Sequence, residues 1–160
     1  MPNCNEPTLY DTDFIAWAEE QADALRALAL PDGSGLDLPN LIEEMETLAR
    51  RELVQFERIV GCALERLIRA ALDPDLDRAR GSLSQVTGFL REACQRSCPT
   101  GLSRIDLQRI WSEACDRAEV HLPEDSLPAG KTPCPFATEA LLAPGFVLRD
   151  AIEAIRDLAS

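Results

Sequence analysis

Asp37 to Leu72 reads DLPNLIEEMETLARRELVQFERIVGCALERLIRAAL, and its apolar residues recur mostly at steps of three and four. This spacing is the period of an α-helix and not the two-residue period of a strand. Asp37 can cap the start of the helix, and Pro39 is tolerated in its first turn. Asp73-Pro74 predicts its end. The sequence therefore predicts one helix about 50 Å long, at about 1.5 Å per residue, which must bury its apolar stripe against other helices.

Shorter helical patterns lie on both sides of this segment. The first begins after Asp11 or Thr12, either of which can cap it, and ends at a turn formed by residues 31–35. Two more helices are predicted over residues 75–97 and 103–120. In the former, Gly81 and Gly88 predict fraying or a break near the start. The residues that these helical phases place in one core are Trp17, Leu41, Met45, Phe56, Ile59, Leu90 and Trp111.

The C-terminal third of the chain differs from the rest. Four prolines between residues 122 and 135 forbid a regular helix, so we expect an extended strap there. Together the patterns predict an all-α fold, an up-and-down helical bundle of about four main helices. The predicted single domain spans residues 1–160, with an irregular N-terminal arm at 1–10, the Pro-rich strap and a short helix at 122–146, and a C-terminal amphipathic helix at 147–160.

The charge balance excludes some classes of function. The chain holds 28 acidic and 16 basic residues, for a net charge of −12. Nucleic-acid binding needs a basic surface for phosphate contacts, so no nucleic acid is expected as a partner. An anionic membrane surface is disfavoured for the same reason. A basic protein partner or a cation remains compatible with this charge.

The predicted location is the cytoplasm. The N-terminal residues have neither the basic start nor the apolar run of a signal peptide, and no stretch approaches the roughly 18 consecutive apolar residues of a membrane span. The six cysteines are then expected to be free thiols.

Two polar residues fall inside apolar stripes. Glu52 lies in the stripe of the long helix and Gln21 in that of the first helix. A carboxylate in such a position is costly unless it is paired or protonated. Antiparallel packing of the two helices would bring Gln21 and Glu52 to similar height, so we predict that they contact each other directly or through a water. The pair is the candidate ligand- or partner-binding site, and a hydrogen bond that fixes helix register is the structural alternative.

No metal site or cofactor is predicted. Bundles that bind two metal ions use inward carboxylates with a Glu-x-x-His motif, which this chain lacks. Glu43 and Glu44 point away from the apolar stripe, and Glu46 can pair with Arg50 four residues on. Structural zinc sites have two tight ligand pairs, whereas the sequence offers one loose pair followed by scattered residues. These residues are Cys94 and Cys98, then Cys115, His121 and Cys134.

Catalytic residues are not predicted either. The sequence has no Gly-x-Ser-x-Gly elbow and no glycine-rich phosphate loop. His121 is the only histidine, and it lies close to a helix-ending proline.

Three stretches carry a resemblance to a known family. They are LYDTDF at residues 9–14 with the residues that follow it, LDLPNLIEEME at residues 36–46, and PCPF at residues 133–136. Over most of residues 9–146 the chain resembles the domain of unknown function 29 family. The resemblance implies a small helical bacterial protein and no established activity. Where family members usually carry His-Leu-Leu-Lys-Trp, this chain has Arg-Leu-Ile-Arg-Ala at residues 66–70.

Three hypotheses about function follow. The leading one is a non-enzymatic helical interaction module that binds a protein partner, or forms a homo-oligomer, through its helix faces. The second is a metal- or ligand-dependent enzyme with a buried polar site near Glu52. The third is an acidic, antitoxin-like partner of a basic protein.

Overall fold

The computed structural model describes residues 7–28, 35–124, 126–127 and 132–159. In these ranges the fold is all-α, a helical bundle without strands. The helices are α1 (Leu9–Thr12), α2 (Phe14–Ala27), α3 (Leu38–Leu72), α4 (Leu76–Arg96), α5 (Pro99–Arg104), α6 (Leu107–Glu119), α7 (Thr138–Leu141) and α8 (Leu148–Leu158). None of the described helices combines the length and the apolar composition that crossing a membrane requires.

The ends of α3 follow the sequence signals. The Asp37 carboxylate accepts a hydrogen bond from the backbone N–H of Asn40 at 3.4 Å, so the predicted cap is confirmed. The helix ends at Leu72, directly before Asp73-Pro74. The buried Asp73 carboxylate then accepts from the backbone of Asp75 at 2.9 Å, which fixes the turn into α4.

The chain divides into two compact units. Unit one comprises residues 1–55 and 98–104, and unit two comprises residues 56–97 and 105–160. The boundary falls inside α3, between Gln55 and Phe56. The prediction of a single domain stays a prediction.

Unit one is built on a small core. Ile15 and Ala18 of α2, Ala49 of α3 and Cys98 are buried together, and Trp17 and Leu53 pack against them. The small side chains at Ala18 and Ala49 allow close approach of the helices that carry them.

The start of α2 differs from the prediction. Asp13, and neither Asp11 nor Thr12, caps α2 by accepting from the backbone N–H of Ala16 at 3.1 Å. Asp11 instead accepts from Thr8 Oγ1 at 2.7 Å and from the Thr8 backbone at 3.0 Å. These bonds favour the short α1, so the last two residues of the predicted irregular arm are helical. Apart from Gly35, the predicted turn at 31–35 lies outside the described residues.

Unit two contains the other long helices. α4 is continuous from Leu76 to Arg96, so the fraying or break predicted near its start from Gly81 and Gly88 is wrong. Its Asp75 cap accepts from two backbone N–H groups, which stabilises the first turn despite the glycines that follow. A hydrogen bond joins the strap to α6, in which Trp111 Nε1 donates to the Thr132 carbonyl at 3.1 Å. At the other end of the unit, Arg156 of α8 donates to the Ala71 carbonyl of α3 at 2.9 Å.

Three of the seven residues predicted for the core are fully buried, and all three lie in unit two. They are Phe56, Ile59 and Trp111. Trp17, Met45 and Leu90 are half-buried. Leu41 is 39% exposed, so its prediction is wrong; it shares the helical phase of the buried Ile59 but lies in the first turn of α3.

Candidate functional site

A cleft in unit one gathers charged side chains around a small apolar floor. Its volume is about 530 Å³. The floor consists of Ala22, Ala49 and Leu53, and the short alanine side chains leave the space open. The charged residues that line it are Glu19, Asp23 and Arg26 of α2, Glu46 and Arg50 of α3, and Arg104 at the end of α5.

Arg104 is tied to Glu19 across 85 residues of sequence. Its Nη1 and Nη2 donate to Glu19 Oε1 and Oε2 at 2.5 and 2.8 Å, which is a bidentate salt bridge between guanidinium and carboxylate. The Arg104 hydrogen bonds lower the pKa of Glu19 against the opposing effect of burial, and Glu19 raises the pKa of Arg104. The pair therefore stays ionised at neutral pH. Its salt bridge links α2 to α5 in the lining of the cleft.

Arg26 is shared by two carboxylates. Its Nη1 donates to Asp23 Oδ1 at 2.6 Å, and its Nη2 donates to Glu46 Oε1. The pairing predicted between Glu46 and Arg50 is therefore wrong, since Glu46 reaches across to α2 instead of along its own helix. Among the residues that the structure describes, Arg50 has no ion pair or hydrogen bond from its side chain.

Asp13 holds α5, and with it Arg104, against α2. One carboxylate oxygen caps α2, and the other accepts from the backbone N–H of Thr100 in the first turn of α5 at 2.8 Å. Burial alone would raise the pKa of Asp13, but the bonds from Ala16 and Thr100 outweigh it, so the pKa is lowered. Cys98 adjoins this contact, and its Sγ accepts from the Gly101 backbone at 3.3 Å.

Gln21 and Glu52 are each half-buried, and neither lines the cleft. Their sequence neighbours Ala22 and Leu53 do face it. Helical geometry consequently turns Gln21 and Glu52 toward the flank of α2 and α3 that lies away from the cleft. Their contact with each other stays a prediction.

An aromatic cluster, hereafter the aromatic surface, lies on the Gln21 side of α2 and consists of Tyr10, Phe14 and Trp17. The Tyr10 ring meets Trp17 and Phe14 edge-on, with ring centroids 4.7 and 5.5 Å apart. The centroids of the Phe14 and Trp17 rings are 5.4 Å apart. Tyr10 is 53% exposed, while Phe14 and Trp17 are half-buried. Aromatic rings in such edge-to-face contacts are held rigidly and still present apolar area to solvent.

The described cysteines and His121 do not gather into a group that could hold a metal ion. Across the described part of the chain, no three His, Cys, Asp or Glu side chains gather in a way that could hold a metal ion. The five cysteines within the described residues are free, and His121 is exposed. Burial, with nearby Asp116 and Cys134, raises the pKa of Cys115 to about 11, so this thiol is protonated at neutral pH. The five free cysteines are Cys62, Cys94, Cys98, Cys115 and Cys134.

Sequence reasoning missed the cleft because its charged residues pair over long separations. Nothing in a helical pattern joins Glu19 to Arg104, or Arg26 to Glu46. One signal was present, since the segments of unit one contain only four basic residues, and three of them line the cleft.

The chain belongs to the family described as domain of unknown function DUF29, whose model matches residues 9–147. It is also similar to a solved structure, an alpha-helical protein of unknown function from Rhodospirillum rubrum. The two are 28% identical with a TM-score of 0.80, and the similarity covers 92% of this chain and 98% of the other. No curated protein matches the chain in sequence.

Proposed function

We propose that this chain is a non-enzymatic interaction module, and that unit one binds a basic segment of a partner protein through the aromatic surface. The observation that carries this proposal is the group of Tyr10, Phe14 and Trp17, in which Tyr10 is 53% exposed and the other two rings are half-buried. Tyrosine and tryptophan dominate the energetics of protein interfaces, because they bury large areas at little cost in side-chain entropy. Trp17 also packs on the core of unit one, so the surface needs little ordering when a partner binds.

The charge of unit one supports a basic partner. Its segments hold 12 acidic and 4 basic residues, a net charge of −8. Two of the basic residues, Arg26 and Arg104, are neutralised within the cleft. A basic segment would meet complementary charge on unit one, which speeds association and selects partners. A second copy of the chain would bring another acidic unit, so a homo-oligomer through this surface is disfavoured.

The buried ionisable groups support a non-enzymatic role. Asp13 and Asp73 are the buried carboxylates among the described residues. Asp13 accepts hydrogen bonds from backbone N–H groups, and Asp73 accepts hydrogen bonds from Arg78. The Arg78 hydrogen bonds lower the pKa of Asp73, as backbone hydrogen bonds do for Asp13. General acids and bases need pKa values near the working pH, so these shifts run opposite to what catalysis requires.

The same proposal places the protein in the cytoplasm. The five cysteines that the structure describes are all free, which is consistent with a reducing compartment. The net charge of −12 argues against nucleic acid and anionic membrane as partners.

The proposal is tested with a defined probe, a dye-labelled amphipathic helical peptide of leucine and lysine, followed by fluorescence anisotropy. We expect saturable binding of this peptide and none of the same peptide with glutamate in place of lysine. Tyr10→Ser should weaken binding by at least about tenfold, which is the scale of an interface hot spot.

Val54→Ser is the matched control. Val54 is 56% exposed, close to the 53% of Tyr10, but it lies on the outward side of α3. This variant should bind the lysine peptide as the unmodified chain does. Equal binding of the two peptides, or an equal effect of the two substitutions, would refute the proposal.

A further inference from the structure

We infer that the cleft of unit one is a binding site for a small monocarboxylate with a short apolar body. This site is separate from the aromatic surface and does not depend on the proposed function. Three of the four basic residues in the segments of unit one line the cleft, although the unit as a whole is strongly acidic. Basic side chains are thus concentrated where an anion can enter.

The pairing inside the cleft leaves one cation available. Arg104 binds both oxygens of Glu19, and Arg26 binds Glu46 and Asp23. Arg50 also lines the cleft, and its side chain has no carboxylate partner in the described residues. Glu46 lies four residues before Arg50 on α3 and would ordinarily be its ion-pair partner. Arg26 already binds Glu46.

The chemistry of the lining selects the ligand. A guanidinium binds a carboxylate through two parallel hydrogen bonds, which suits the single available cation. The three carboxylates and three arginines of the cleft lining cancel, so a monoanion adds a single negative charge, whereas a polyanion such as phosphate adds more and is repelled more strongly by the carboxylates. The floor of Ala22, Ala49 and Leu53 offers apolar contact to a short hydrocarbon or aromatic body. A volume of about 530 Å³ is in the range of small-ligand pockets.

Nuclear magnetic resonance tests the inference on the full ¹⁵N-labelled chain. Butyrate and benzoate are titrated, with butyramide and inorganic phosphate as comparison compounds. We expect saturable shifts of the backbone signals of Ala22, Ala49 and Leu53, and of the side-chain N–H of Arg50, with both carboxylates. Butyramide lacks the charge and phosphate carries too much, so neither should shift these signals. Shifts of equal size with either comparison compound, or no saturable shift with the carboxylates, would overturn the inference.

Two neighbouring arginines give a matched pair of variants. Arg50→Gln should weaken butyrate and benzoate binding by at least about tenfold, the loss of one charge-assisted contact. Arg51→Gln removes the same charge at the next position, which is exposed and does not line the cleft, and should leave affinity unchanged. Both side chains are exposed, so both variants should fold, as circular dichroism would verify. An equal loss in the two variants would show a general charge effect and contradict a site at Arg50.

Discussion

Asp13 joins two helices of unit one with its two carboxylate oxygens. One accepts from Ala16 and caps α2, and the other accepts from Thr100 in α5, 87 residues away in sequence. A local cap is visible in the sequence as an Asp before an apolar helix. The second bond depends on where a distant segment arrives, so no local pattern announces it.

Replacing this carboxylate tests both bonds. Asp13→Asn keeps one acceptor oxygen and loses the charge, so we expect a loss of about 1–2 kcal/mol in the free energy of unfolding at pH 7. Folding lowers the pKa of Asp13 below its unfolded value of 3.8, so its stabilisation is complete above that pH. It is lost as the pH falls through the folded-state pKa. Urea unfolding at several pH values should therefore show that the difference in free energy of unfolding between the unmodified chain and Asp13→Asn narrows below about pH 4.

Glu20→Gln is the control for this measurement. Glu20 is exposed on the same helix, and its side chain has no hydrogen bond or ion pair among the described residues. Its substitution should leave both the stability at pH 7 and the acid response unchanged. A gap between the Asp13 variant and the unmodified chain that stays constant down to pH 3 would contradict the role assigned to the charge.

At the level of elements, α4 shows a helix that tolerates glycine in its interior. Gly81 and Gly88 both lie within Leu76–Arg96, and a Cβ at either position would meet no atom within 4 Å. The buried residues Ser82, Val86 and Ala93 supply the packing that outweighs low helix propensity.

Gly88→Ala should accordingly stabilise the protein. Alanine favours the helix over glycine by about 0.5–1 kcal/mol, and nothing nearby must move. Thermal or urea unfolding would measure the gain. Gly35→Ala is the opposite case, because Gly35 has a φ of 71°, where a side chain is strained, and we expect it to destabilise. A loss of stability in Gly88→Ala would mean that α4 needs glycine for a contact not seen here.

The main helices and the short α7 could be predicted from the sequence, whereas α1 and α5 could not. The three- and four-residue steps, the Asp37 cap and Asp73-Pro74 gave the bounds of α3 within a residue. No helix was predicted between residues 97 and 103, where proline and glycine favour a turn, yet α5 begins at Pro99. Proline suits a first helical turn, and Asp13 provides the acceptor that holds Thr100. The cleft was missed for the same reason, since tertiary partners created it.

At the level of the whole molecule, the chain has a large net negative charge. The chain carries −12, of which unit one contributes −8 in 62 residues. Like charges at this density repel one another and oppose the compact state.

Salt should therefore stabilise the protein. Raising NaCl from roughly 0.02 to 0.3 M shortens the screening distance below about 10 Å. We expect the Tm to rise by roughly 2–4 °C, the shift that about 1 kcal/mol produces at this chain size. Differential scanning calorimetry gives the measurement. Glu20→Lys removes two units of net negative charge at an exposed position and should show a smaller rise. A Tm that falls with salt would indicate that ion pairs such as Glu19–Arg104 matter more than repulsion.

The long separations in unit one have a consequence for protein synthesis. Asp13 and Glu19 leave the ribosome before Thr100 and Arg104, their partners 87 and 85 residues later. At roughly 5–20 residues per second, the delay is about 4–17 s. Throughout that interval the nascent α2 lacks the Cys98 side chain that completes its core, so Ile15 and Ala18 are available to chaperones. Translation of residues 98–104 is thus the event that lets unit one close.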